Sequence, residues 1–147
     1  MSLRLNVLIV DDHSILRAAL VAAIRMSDRF LLAGEASTAA QAFELCRAAR
    51  PEVVVLDSHL PDMSGAEATT RLRQEFPEIK IIITARYDAT GEIPAAVKAG
   101  ARGFILKDRL DTELLRALQA VAAGQFYFPP EFNFPTASGS DSVAARS

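Results

Sequence analysis

Three stretches of the chain, LNVLIV (Leu5–Val10), VVVL (Val53–Leu56) and KIIIT (Lys80–Thr84), are short, nearly continuous apolar runs. A strand with one face in water alternates apolar and polar residues, whereas a strand buried on both faces does not. These runs therefore point to a central parallel sheet covered by helices on both sides. Two further β-rich runs, FLLAGEA (Phe30–Ala36) and GFIL (Gly103–Leu106), complete a set of five. Amphipathic stretches fill the gaps between them. Ser14 is placed to cap a helix running to about Met26, and Thr38 with Gln41 and Ser64 with Glu67 have capping-box spacing. Pro51 and Pro77 follow the second and third helices. Asp111 is placed to cap a last helix whose stripe Leu114, Leu115, Leu118, Val121 and Ala122 ends at Gly124. The fourth helix, around Thr90–Ala99, is interrupted by Gly91 and Pro94 and is expected to start late or be mobile. Five βα units in series give right-handed crossovers and an open, doubly wound α/β fold.

Composition narrows the function classes. The length of 147 residues and a hydrophobic share of 50% fit one domain with a single core and a spare tail. No apolar run reaches the ~20 residues of a membrane span. A net charge of −2, without a cluster of Lys or Arg, gives no general attraction to nucleic acid. The single cysteine, Cys46, excludes an internal disulfide and fits a cytoplasmic location; its apolar neighbours Ala39 and Phe43 at helical spacing make it a core residue. After Gly124 the segment QFYFPPEFNFPTASGSDSVAARS has neither helical nor strand period and reads as a tail or linker.

In an open α/β sheet, ligands gather outside the carboxyl ends of the strands. There stand Asp11 and Asp12 after the first strand, Asp57 after the third, Thr84 at the end of the fourth and Lys107 after the fifth. Three close carboxylates repel one another unless a cation joins them, and Lys107 neutralises part of that charge. An incomplete oxygen cage suits Mg²⁺, and a carboxylate can act as a nucleophile toward phosphorus. Lys107 and the Thr84 hydroxyl are the groups suited to hold phosphoryl oxygens.

With those residues in place, DDH at 11–13, LDSHLPDMSG with Asp57, then Thr84, and GARGFILKD with Lys107 resemble the receiver domains of two-component response regulators. The spacing matches to about Gly124. DDHSILRAAL and LLRALQAVAAGQFYFPP are most similar to the NarL/FixJ subgroup, whose members usually carry a LuxR-type helix-turn-helix output domain. The resemblance implies a flavodoxin-like sheet of order 2-1-3-4-5 between five helices. Residues 1–124 would form the receiver domain and 125–147 a tail or linker toward an output domain absent from these residues. It implies that Asp57 is the phosphoacceptor, that Asp12 ligates Mg²⁺ directly and Asp11 mainly through water, and that the His59 backbone carbonyl is a further ligand. Thr84 and Lys107 would bind the phosphoryl group, and Phe104 would take the place of the aromatic switch residue. The implied partners are a histidine kinase or phosphotransfer protein and, on phosphorylation, a second copy of the chain. DNA would be reached only through the output domain, and no membrane is implied.

Several residues depart from the family pattern. Phe104 has no ring hydroxyl where tyrosine is usual, and Gly91 and Pro94 make the fourth helix unusual. His59 and Arg86 occupy positions that tune the phosphoryl lifetime in the family. His13, beside the acid pair, reads as a solvated or helix-starting residue, because an oxygen cage suits a hard ion. A haloacid-dehalogenase-like phosphatase would need a second acid two residues after its nucleophile, where this chain has His59. A dinucleotide-binding reading lacks a Gly-rich turn after the first strand. The alternative is a receiver-like module that dimerises without phosphorylation, and it gives the intact set Asp12, Asp57, Thr84 and Lys107 nothing to do.

Overall fold

The computed structural model describes residues 4–130 and 132. Its parallel strands are β1 (Leu5–Val10), β2 (Phe30–Ala36), β3 (Val53–Asp57), β4 (Lys80–Ala85) and β5 (Gly103–Leu106), in the order β2-β1-β3-β4-β5. The helices are α1 (Ser14–Arg25), α2 (Ala39–Ala49), α3 (Gly65–Glu75), α4 (Ile93–Ala99) and α5 (Leu110–Ala122). The period of two along each strand sorts the core into two layers. Val7, Ile9, Val53, Val55, Ile82 and Ile105 pack with α1 and α5, while Leu8, Val10, Val54, Leu56, Ile81 and Ile83 pack with α2, α3 and α4. Every residue of β3 is buried, which its apolar run required. Cys46 lies in the second layer, where burial, chiefly, pushes its thiol pKa up to about 12, so it is an inert core residue.

The helix ends follow the expectations in part. The Thr38 hydroxyl accepts from the Gln41 N–H at 3.1 Å, but the Gln41 side chain reaches back to the Ser37 N–H rather than to Thr38. The Ser64 hydroxyl likewise accepts from the Glu67 N–H, while the Glu67 carboxylate turns to Arg71 at 2.8 Å. Two cap positions are corrected. His13, not Ser14, is the N-cap of α1, because the Asp11 carboxylate accepts the His13 N–H at 2.8 Å and holds the turn one residue earlier. Arg109, not Asp111, precedes α5, because a 3-10 turn over Lys107–Arg109 leads straight into the helix and leaves Asp111 in its first turn. The fourth helix does start late. A 3-10 turn at Thr90–Glu92 absorbs Gly91, and Pro94 falls in the first turn of α4, where its missing N–H costs nothing.

The segment after Gly124 differs from the expected tail at its beginning. The Tyr127 N–H donates to the Arg102 carbonyl at 3.0 Å, and the Phe104 N–H donates to the Tyr127 carbonyl at 2.8 Å. Tyr127 and Phe128 are buried, the first against the α1–α5 layer and the second in the opposite one. The chain therefore leaves α5, turns at Gly124 (φ 91°) and lies parallel along the outer edge of β5. Gly103 permits this approach: a Cβ there would stand 3.1 Å from the Ile82 side chain and 3.2 Å from the Tyr127 carbonyl oxygen. Residues 131 and 133–147 of the expected tail lie outside the described residues.

If residues 125–130 belong to the folded unit, Phe128→Ala costs about 3 kcal/mol of stability in urea melts, as for a buried aromatic truncated to alanine. A loss below about 0.5 kcal/mol, the ordinary surface range, would return the boundary to Gly124.

Candidate functional site

Strand register brings the sequence-derived site residues to one place. Asp57 closes β3 directly opposite Thr84 of β4, in the row that continues Val53 and Val55 on the α1–α5 face. Asp11 follows β1 by one residue and is fixed there by its N–H, which donates to the Ala36 carbonyl at 3.0 Å. Lys107 follows β5, and its Nζ lies 3.1 Å from Asp57 Oδ2 and 3.3 Å from Asp11 Oδ2. Asp11, Asp57 and Thr84 are buried, while Asp12 opens to solvent.

The two buried carboxylates are poorly satisfied. Asp57 Oδ1 accepts the His59 N–H at 3.2 Å, but Asp57 Oδ2 and Asp11 Oδ2 have no hydrogen-bond partner. Lys107 stands between them and pairs with both through its charge. Burial above all, and the Asp11 charge after it, raise the Asp57 pKa, against the lowering pull of the His59 N–H and Lys107. Two buried anionic oxygens that share one lysine are what a bound cation would complete. Asp11, Asp12, His13 and Asp57 each offer a ligand atom, all within 4.8 Å of one another, so this cluster could hold a metal ion.

An open cleft of about 580 Å³ gives access to the site, with Asp12, His13, Asp57, His59, Arg86 and Lys107 among its walls. The Arg86–Asp88 ion pair, at 3.1 Å, stands in its wall, and His59 Nε2 lies 3.6 Å from Glu92 Oε2.

Three residues contribute more than the sequence disclosed. His13 is the N-cap of α1 and exposed, as its sequence reading has it, yet its Nδ1 lies 3.0 Å from Asp11 and 3.3 Å from Asp12. Asp62 reaches across to α2, where its two oxygens accept the Ala39 and Ala40 N–H groups at 2.9 and 3.0 Å and pin the loop that follows Asp57. Gly65 passes so close to that loop that a Cβ would meet the Asp57 carbonyl oxygen at 2.7 Å and Ser58 Cα at 2.8 Å. Its place straight after a capping serine hinted at a turn, but the close approach is tertiary.

Phe104, which the resemblance puts in the place of the switch residue, is fully buried, in the layer beside α4 and opposite Ile83. Lacking a hydroxyl, it has no polar atom to keep in water, and burial is its ground state.

Residues 7–119 match the family model described as response regulator receiver domain. The chain belongs to that family. It is 37% identical over 120 residues to the DNA-binding transcriptional activator DevR/DosR of Mycobacterium tuberculosis, covering 82% of this chain and 55% of the relative. It is 34% identical over 120 residues to the nitrate/nitrite response regulator protein NarL of Escherichia coli, covering 82% and 56%. Among solved structures, the receiver domain of the putative response regulator NarL from M. tuberculosis superposes with a TM-score of 0.78 at 32% identity, covering 83% of this chain and 98% of that one. These relatives place the receiver domain in the NarL/FixJ subgroup, with the sheet order expected from sequence. The chain spans little more than half the length of the curated relatives it matches.

The raised Asp57 pKa fixes a pH dependence for the receiver domain. Between the unfolded and folded pKa values the folded state holds more protons, so stability falls as pH rises through that window, and the deficit persists at neutral pH. Asp57→Asn removes the deficit. In EDTA and neutral buffer the variant should withstand more urea than wild type, with the advantage fading once the pH drops below the unfolded value of about 3.9. Equal stability at neutral pH would show that Lys107 fully compensates the buried charge.

Proposed function

We propose that this receiver domain takes a phosphoryl group onto Asp57 from a histidine kinase or phosphotransfer protein and passes the change to an output. The observation that carries the reading is Asp57 Oδ2: buried, without a hydrogen-bond partner, 3.1 Å from Lys107 and on a residue that lines the cleft. An oxygen kept in that state is a ready nucleophile. In the transfer, an Asp57 oxygen bonds to phosphorus as the bond from phosphorus to the donor imidazole breaks, and the electron pair leaves with the imidazole. Lys107 stabilises the phosphoryl oxygens as charge moves onto them, and Thr84, directly opposite Asp57, is placed to donate its hydroxyl to one of them. The His59 N–H holds the other Asp57 oxygen and orients the carboxylate. Asp12, Asp11, Asp57 and the His59 carbonyl would hold Mg²⁺, which when bound neutralises the carboxylates and the incoming phosphate. The domain promotes its own modification and is not otherwise an enzyme. Phosphorylation strengthens self-association, and the output is a LuxR-type DNA-binding domain, consistent with the relatives' names as transcriptional regulators.

Acetyl phosphate with Mg²⁺ should add one phosphoryl mass to the intact protein, and neither EDTA-treated protein nor Asp57→Ala should gain it. Labelling of Asp57→Ala would place the acceptor elsewhere, and labelling indifferent to EDTA would remove the metal.

With beryllofluoride as a phosphoryl mimic, sedimentation equilibrium should report stronger association of wild type and little change in Thr84→Ala, which lacks the hydroxyl that senses the mimic. Identical behaviour of the two proteins would sever Thr84 from the coupling.

A further inference from the structure

We propose that Arg17 is a positioning residue for the acidic pair: it fixes the peptide between Asp11 and Asp12 and thereby aims the Asp12 carboxylate at the cation. This rests on the Mg²⁺ reading above. Arg17 lies in the first turn of α1, its N–H donating to the His13 carbonyl at 2.8 Å. Helical side chains lean toward the helix N-terminus, so the guanidinium folds back over the turn that carries the acids. There Nη1 donates to the Asp11 carbonyl oxygen at 2.6 Å, and Nε donates to Glu35 Oε1 at 3.1 Å.

The Asp11 carbonyl belongs to the planar peptide whose nitrogen is that of Asp12. The Asp11 N–H is already committed to the Ala36 carbonyl at 3.0 Å, so Asp11 is held on both sides of its Cα. With the peptide plane fixed, the Asp12 Cα is fixed as well, and with it the point from which the carboxylate reaches the cluster. Glu35 matters in turn because it sits near the end of β2, opposite Ile9 of β1, and keeps the guanidinium from swinging into solvent. The Arg17–Glu35 pair alone would be an ordinary partly exposed ion pair of little consequence. Its importance lies in the third partner, a backbone carbonyl at the edge of the metal cluster. Lysine cannot serve both acceptors in the same way, since a single ammonium lacks the rigid fork that spans them.

Charge and positioning predict opposite signs. Removing a cation beside an acidic metal site should tighten Mg²⁺ binding if Arg17 acts through its charge. Removing a positioning group should weaken it, by about tenfold on the scale seen for partners that orient metal ligands. The experiment is a Mg²⁺ titration of wild type, Arg17→Met, Arg17→Lys and Glu35→Gln, followed by calorimetry, with amide NMR spectra of the metal-free proteins. The expected result is weaker binding in Arg17→Met, partial recovery in Arg17→Lys, an intermediate loss in Glu35→Gln, and shifted Asp11 and Asp12 amides before any metal is added. Unchanged or tighter binding in folded Arg17→Met overturns the proposal. Should that variant not fold, unchanged binding in Arg17→Lys and Glu35→Gln overturns it instead. If wild type itself takes up no Mg²⁺, the metal reading fails, and this inference with it.

Discussion

The structure depends on central strands that, past their first residues, are dry on both faces. With helices over each side, no polar side chain can stand along β1, β3 or β4 without losing its water, so chemistry is driven to the strand ends. Period and register then do the sorting. Asp57 and Thr84 continue the row of Val53, Val55 and Ile82, which puts them side by side at the mouth of one layer. The apolar runs are thus not a background to the site; they decide which residues can meet there.

That arrangement carries a cost. Two carboxylates are held in a place where neither has a hydrogen-bond partner for its second oxygen, with one lysine between them. Burial that stabilises the apolar strands destabilises the anions at their ends, and the raised Asp57 pKa is the visible form of the conflict. Protein sites that store such tension relieve it on binding a cation or a modifying group, so either one, if bound here, would be coupled to stability through the same few atoms. The loop after Asp57 needs its own supports, which Asp62 on α2 and the close approach of Gly65 supply.

The central strands were legible because continuous apolar runs have few ways to be buried, whereas their order came from the family resemblance. The strand ends were legible to within one residue, β3 and β4 each extending by one to include Asp57 and Ala85. Asp11, Asp12, Asp57, Thr84 and Lys107 could be gathered from sequence because the sheet alone brings strand ends together. The helix caps were less legible. Ser14 and Asp111 have the right chemistry, but an Asp11 hydrogen bond and a 3-10 turn, respectively, moved the helix starts. The packing of Tyr127 on β5 could not be read, since two or three residues carry no period and the contact depends on a glycine far earlier in the chain. The same holds for His13, whose ring position follows from the turn and not from its residue type, and for the buried state of Phe104.

The pairing of Tyr127 with β5 also decides how tension would pass through the molecule. The segment runs parallel to β5 and is joined to it by bonds on both sides of Tyr127. A pull directed along β5 from beyond Pro130 would load those bonds together, as a shear, rather than peel them singly. Strain would therefore enter at Arg102 and Phe104, in the strand that ends at Lys107, before it reached α5. The edge of the sheet is the molecule's mechanical terminal, and it is one strand away from Thr84.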